Sequence, residues 1–211
     1  VEVDRTLAPI LAETLGEFSN LHILWQDILK VDIPALVQAE LPGLRPMACA
    51  NLPYYITSPV LTALLEARCF SSVTVMVQKE VAQRMAAAPG SRDYSAFTVF
   101  CNYYAQPELL FDVPPSCFLP QPKVTSSVIR LNVRQAPPCP VADEELFFRV
   151  VRASFAQRRK QLQNALAAGF PALGKEIIGD ILRNCGLSPT VRGETLDIPT
   201  FARIAAAIGS V

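Results

Sequence analysis

Asn51-Leu52-Pro53-Tyr54 is the stretch of this 211-residue sequence whose residue types could do chemistry. It follows the apolar run Met47–Ala50, so a candidate buried strand ends by placing an amide, a proline-fixed backbone and a phenol side by side. That combination suits methylation of an exocyclic amine on a nucleobase. The lone pair of such an amine is delocalised into the ring, so the nitrogen must be drawn toward tetrahedral geometry before it can attack. Two acceptors can do this. The Asn51 side-chain oxygen and the Pro53 carbonyl could each take one N–H, leaving the lone pair aimed at an electrophilic methyl group. Proline fixes its own φ and donates no competing N–H, and Tyr54 could stack on the base, a contact worth about 1–3 kcal/mol. No strong base is then needed, because the proton is acidic once the methyl has moved. By itself the tetrapeptide also fits an ordinary strand-to-helix turn with a buried tyrosine.

A site of this kind needs strands to hold it. "VEVD" alternates like a strand and runs into a helical "RTLAPILAETLGEF"; "NLHILWQDIL", "LRPMACANL" and "SVTVMVQ" are three more strand candidates, with helical "ALVQAEL" and "SPVLTALLEARCF" among them. Ser58 reads as an N-cap with Pro59 at the first helical position. Strands alternating with helices imply right-handed crossovers and a mostly parallel sheet covered on both faces, an α/β fold. Past helical "KEVAQRMAA" and the turn "APGSRD", the segments "AFTVFCNYYAQPELLFDV" and "SSVIRLNV" read as long strands joined by "PPSCFLPQPKV", an antiparallel pair at one edge. "RQAPPCPVAD" is the best linker. Residues 141–211 carry only helical patterns, "EELFFRVVRASFAQRRKQLQNAL", "KEIIGDILRNCG" and "IPTFARIAAAIG", with "CGLSPTVRGETLD" as loop. Sheets of this type bind ligands outside the carboxyl ends of their strands, where Glu2, Asp27 and Asn51 fall.

Composition narrows the partners. Hydrophobic side chains make up 51% and charged ones 18%, enough for a sizeable core. No apolar run is long enough for a membrane span and no signal peptide opens the chain, which leads us to expect a cytosolic protein. Six scattered cysteines and one histidine suggest neither zinc nor disulfides; buried or incidental reduced thiols are the simpler reading. The net charge is zero, yet residues 1–105 carry 7 basic and 10 acidic side chains and residues 106–211 carry 12 and 9. Arg149, Arg152, Arg158, Arg159 and Lys160 meet no acid between positions 149 and 160, and such a local basic face can bind phosphate in a neutral protein.

Several stretches in one order, "VEVDRTLAPIL", "QDILKVD", "NLPYYITSPVL", "QKEVAQRM", "PGSRDYSAFTV", "VPPSCFLPQPKVTSSVIRL" and "FAQRRKQLQNAL", resemble the KsgA/RsmA family of ribosomal RNA adenine N6,N6-dimethyltransferases, which is related to the Erm resistance methylases. The resemblance implies a Rossmann-like class I methyltransferase domain over residues 1–134, a linker at 135–140 and a small all-helical RNA-binding domain over 141–211. It implies S-adenosylmethionine as cofactor, with Glu2 on the ribose hydroxyls, Asp27 on the adenine amine and Ile28 against the adenine ring. Asn51, Pro53 and Tyr54 match the family's catalytic tetrapeptide, and Leu52 suits this family better than the Erm enzymes. Phe118 matches a second aromatic that sandwiches the target adenine, although a core phenylalanine in a proline-rich loop is the competing reading. The implied substrate is a pair of adjacent adenosines in the hairpin loop near the 3′ end of small-subunit (16S) ribosomal RNA, in an immature small subunit. Loop bases are splayed out at little unpairing expense. Lys79, Arg84, Lys123, Arg149, Arg152, Arg158, Arg159 and Lys160 would grip RNA, and a monomer is expected.

The chain departs from the family in one respect. Nothing resembles the glycine-rich loop that approaches the cofactor, and Val1 corresponds to the middle of the family's second strand. A fragment with an incomplete sheet, binding cofactor weakly or not at all, is therefore expected. An RNA-binding assembly factor without catalysis is the rival from another class.

Overall fold

The computed structural model describes residues 1–188 and 190–211; Pro189, inside the loop expected after Cys185, lies outside the described residues. The chain runs α1 (Ala8–Leu15), α2 (Ile33–Glu40), β1 (Met47–Asn51), α3 (Thr57–Glu66), β2 (Ser72–Gln78), α4 (Lys79–Met85), α5 (Ala96–Tyr104), β3 (Ala105–Val113), β4 (Ser126–Val133), α6 (Glu144–Ala156), α7 (Leu162–Gly169), α8 (Gly174–Asn184) and α9 (Ile198–Gly209). The strands form a sheet in the order β1-β2-β4-β3, with β1 parallel to β2 and the other two pairings antiparallel. Antiparallel strands at one edge are what the sequence pattern leads one to expect, but among the described residues only the β1–β2 pairing is parallel, so this sheet is not the mostly parallel one expected. The two strand candidates nearest the N-terminus meet in a single parallel bridge, Glu2 to Trp25, rather than a ladder.

Alternation explains how the sheet packs. Val73, Val75 and Val77 point to one face and are fully buried, while their neighbours in β2 are half-buried. Val73 lies opposite Leu131 and Val75 opposite Ile129, so two strands contribute one apolar stripe. Leu61 and Leu65 of α3 and Met85 of α4 are buried with it. Helix α3 begins at Thr57, one residue before the expected Ser58 cap. The one-turn helix Tyr54–Ile56 feeds into it, and the Thr57 hydroxyl donates to the Pro53 carbonyl (3.3 Å).

The stretch 96–113 is not one long strand. Its first half is α5, although its aromatic and β-branched residues favour strands. Ser95 and Thr98 form a reciprocal capping box that starts the helix, and Phe97, Phe100, Cys101 and Tyr104 sit at helical spacing. The expected single helix over 144–166 is split into α6 and α7. Aromatic rings of α5 and α6 close the junction, with Tyr103 and Phe147 stacked at 5.1 Å and Phe100 5.5 Å from Phe148. The apolar core runs without a break from the sheet through these rings to Leu162, Ile178, Phe201 and Ile204 of the helical region. All six cysteines are free, but only Cys101 is fully buried, and Cys49 and Cys117 are exposed. Among the described residues no helix is long and apolar enough to cross a membrane.

Candidate active site

Strand β1 ends at Asn51, opposite Met76 of β2. Leu52 turns inward, 6% exposed, and its N–H reaches the Met76 carbonyl at 3.4 Å, so the turn is anchored by an apolar plug directly after the amide. The Asn51 side chain is exposed and makes no hydrogen bond among the described residues. Its amide is available to an incoming group.

The expected second acceptor is not available. The Pro53 carbonyl already accepts from the Ile56 N–H (3.1 Å) and the Thr57 hydroxyl (3.3 Å), one bond for each lone pair. This corrects the reading that assigned it to a substrate amine: proline's rigidity builds the start of α3 instead. The Leu52 carbonyl is adjacent to Asn51 and accepts no hydrogen bond among the described residues, so it is the main-chain oxygen left for that role.

Tyr54 is 36% exposed, and its hydroxyl shares a 2.8 Å hydrogen bond with the Ser126 hydroxyl, 72 residues away. Ser126 is wholly buried at the start of β4, opposite Gln78 of β2. The ring of Tyr54 is thus tied to the same end of the sheet that carries Asn51. Sequence reading missed Ser126; the only signal was its place in "KVTSSV", since a contact so distant along the chain leaves no spacing to detect. Phe118 is half-buried just past the one-turn helix Pro115–Cys117 in the β3–β4 connection, and it pairs with no other ring among the described residues. Lys79 begins α4 at this end. Its N–H donates to the Thr125 carbonyl (3.0 Å), and its ammonium pairs with Asp112 at 2.6 Å. Bonds from Lys79 and Ser127 hold the Asp112 carboxyl below its usual range. The Lys79 ammonium thus has an intramolecular partner, although both side chains of that pair remain about half exposed.

Glu2 and Asp27 stand on two segments joined by the Glu2–Trp25 bridge. One oxygen of Glu2 accepts the N–H groups of Val3 (2.8 Å) and Asp4 (2.7 Å), and one oxygen of Asp27 accepts that of Leu29 (3.0 Å). Each carboxylate keeps a second oxygen, and that of Asp27 has only Lys30 at 4.0 Å. Two half-buried carboxylates that each retain an acceptor suit ribose hydroxyls and an adenine amine, so the residues present fit a nucleoside-bearing cofactor. Ile28, beside Asp27, is half-buried.

The basic residues divide into two groups. Arg158 pairs with Glu194 (2.8 Å) and donates to the carbonyls of Ser91 (3.4 Å) and Arg92, binding the end of α6 to the loop after α4. Arg149 donates to the Gly169 carbonyl (3.2 Å) and lies over the Phe170 ring at 4.5 Å. An acid distant in sequence thus meets the run that looked unopposed. Arg84, Lys123, Arg152, Arg159 and Lys160 are exposed, and their side chains have no ion-pair partner among the described residues.

The family model for ribosomal RNA adenine dimethylase matches residues 1–197. The chain belongs to the ribosomal RNA adenine dimethylase family. Relatives named ribosomal RNA small subunit methyltransferase A are 44% identical in Alkaliphilus oremlandii, over 97% of this chain and 72% of the relative, and 48% identical in Geobacillus kaustophilus, over 98% and 72%. Among solved structures, a dimethyladenosine transferase from Plasmodium falciparum superposes with a TM-score of 0.81 at 23% identity, covering 99% of this chain and 80% of that one. The 23S rRNA methyltransferase ErmE gives 0.69 at 24% identity with the same coverage. Both share the Rossmann-like methyltransferase fold, and this member of the dimethylase family is accordingly an enzyme.

Proposed function

We propose that this protein transfers methyl groups from S-adenosylmethionine to the N6 amines of two adjacent adenosines in the hairpin loop near the 3′ end of small-subunit (16S) ribosomal RNA, during assembly of the subunit. The observation that carries this reading is the Asn51 turn: an exposed amide followed by the Leu52 carbonyl, both without a hydrogen-bond partner among the described residues, with the Tyr54 ring tied by its hydroxyl to the same end of the sheet. The two oxygens would accept the amine's N–H bonds and turn its lone pair outward, and Tyr54 and Phe118 would hold the base between them. Glu2, Asp27 and Ile28 would hold the cofactor, whose sulfonium supplies an electrophilic methyl. Residues 1–134 would form the catalytic unit and residues 141–211 the helical RNA-binding one. Arg84, Lys123, Arg152, Arg159 and Lys160 are the charges left to contact RNA backbone; Arg149 and Arg158, also exposed but bonded within the protein, would flank them. A cytoplasmic monomer fits this role.

The test supplies methyl-tritiated S-adenosylmethionine and undermethylated small subunits, then digests the RNA to nucleosides. Label in N6,N6-dimethyladenosine that falls at least about 100-fold with Asn51→Ala is expected, since the loss of a positioned acceptor is worth roughly 2.7–4 kcal/mol of barrier. Binding to the subunits without label would make the protein an assembly factor instead.

A further inference from the structure

The end of the sheet opposite Asn51 also holds a site. A cavity of about 650 Å³ opens where β1 and β2 begin and β4 ends, lined by Arg45, Arg68, Phe70, Ser71, Arg134 and Gln135 among others. Strand β2 runs from this cavity to the Asn51 end, and its six steps span about 20 Å. One ligand atom cannot serve both places.

Among the described residues no acid lines the cavity. Of its three guanidinium groups, Arg68 is paired with Glu144 and lies over the Tyr104 ring at 5.1 Å. Arg134 spends only its Nε, which donates to the Asn102 carbonyl at 3.1 Å, so its terminal nitrogens are uncommitted among the described residues. Arg45 has no hydrogen-bond or ion-pair partner among the described residues. The Gln135 amide is likewise unbonded. Two unpaired guanidinium forks facing one concavity, with a third fixed in its wall, form a donor set for a tetrahedral oxyanion, which arginine grips in bidentate fashion. Arg45 and Arg134 share this lining without a carboxylate partner of their own among the described residues, and an anion between two like charges relieves their repulsion.

We propose that this cavity binds a phosphate group, at a site separate from the methyl-transfer end. A backbone phosphate of the RNA would give the enzyme a second grip a strand's length from the target base; a free phosphoanion has the same chemistry. The first source rests on the function proposed above, whereas the second does not.

The test uses the full chain, Arg45→Gln, and Arg45→Gln/Arg134→Gln, with two probes. Both arginines are exposed, and Arg45→Gln removes no observed contact, so it keeps the test readable if the double variant is less stable. Inorganic phosphate is titrated against the arginine side-chain N–H resonances. RNA affinity is measured by fluorescence anisotropy across a salt series, using the 3′ hairpin with its flanking helices. Saturable shifts of the Arg45 and Arg134 signals are expected, together with a fall of about 0.7–0.9 in the salt-dependence slope for each arginine removed. Saturable phosphate shifts with an unchanged slope would assign the cavity to a free phosphoanion. If phosphate moves neither signal and the slope stays the same, the proposal fails. Because the phosphate titration needs no RNA, failure of the hairpin to bind at all would count against the proposed function and leave the cavity to be judged on its own.

Discussion

Removing the Glu144 carboxylate should loosen the joint between the sheet and the helical region. Glu144 is the first residue of α6, and it accepts from the Arg68 guanidinium just beyond α3 and from the hydroxyls of Tyr103 (3.1 Å) and Tyr104 at the end of α5. Burial works against its charge, but the donors outweigh it and hold the carboxyl below its usual range. The tyrosines respond in the opposite sense: burial and the neighbouring carboxylate push Tyr103 up to about 12. A bond to a charged acceptor is worth roughly 1.5–3 kcal/mol when shielded. Here the Glu144 side chain is 36% exposed and that of Arg68 51%. We therefore assign about 1 kcal/mol to each tyrosine bond and less than about 1 kcal/mol to the ion pair. Glu144→Ala should then cost about 2–3 kcal/mol, which with a urea m-value of about 2 kcal/mol/M lowers the unfolding midpoint by roughly 1–1.5 M. Glu144→Gln keeps a carbonyl acceptor and should lose about half as much. Because the folded carboxyl titrates below the unfolded one, its stabilisation is complete above about pH 5 and disappears as pH falls through the folded value. The parent and Glu144→Gln midpoints, followed by circular dichroism, should therefore converge in acid. A Glu144→Ala midpoint within about 0.2 M of the parent, or a parent-to-Gln gap that widens rather than narrows as the pH falls below the unfolded carboxyl's value of about 4.3, would refute this account.

Two other substitutions probe the fold and the site. A Cβ added at Gly193 would lie 2.8 Å from the Ser154 carbonyl oxygen and 2.9 Å from the Ser154 Cβ in the last turn of α6, so the helix backbone itself would have to shift; Gly193→Ala should cost about 2–3 kcal/mol and lower Tm by roughly 5–10 °C in calorimetry. Ser126→Ala removes the partner of the Tyr54 hydroxyl. Because water can replace that bond at a half-exposed ring, stability should fall by less than about 1 kcal/mol, whereas methyl transfer should fall about tenfold. Tyr54→Phe should show the same loss and the double variant no more, as expected of two groups acting through one bond; additive losses would sever the link.

What the sequence disclosed follows from the range of the interactions involved. Strands β1, β2 and β4 are short apolar runs between turn residues, and their identity is local. Helix α5 was misread because Phe97, Val99, Phe100, Tyr103 and Tyr104 have strand-like side chains, while the deciding bonds are the Ser95–Thr98 cap and ring contacts to Phe147 and Phe148. The first are two polar atoms three residues apart, and the second lie more than forty positions away, so composition outvoted them. The partner of Arg158 was hidden for the same reason: its acid, Glu194, stands 36 residues downstream.

The site shows a subtler limit. Asn51 and Tyr54 stand out as candidates because an amide and a ring after an apolar run are unusual whatever surrounds them. The choice between the Leu52 and Pro53 carbonyls was not legible, because every residue has a carbonyl and only the bonds already made distinguish one from the next. Proline looked suited to the role through its rigid φ and missing N–H. That same rigidity presents its oxygen to Ile56 and Thr57, where it starts α3 and is used up. Leu52, whose side chain reads as mere core, takes that role in the proposed reaction: burying its side chain leaves its carbonyl beside Asn51 with no hydrogen-bond partner among the described residues. One helix start thus decides which oxygen of the turn is left without a partner among the described residues, and in the proposed reaction it becomes an element of specificity only once the chain has folded around it.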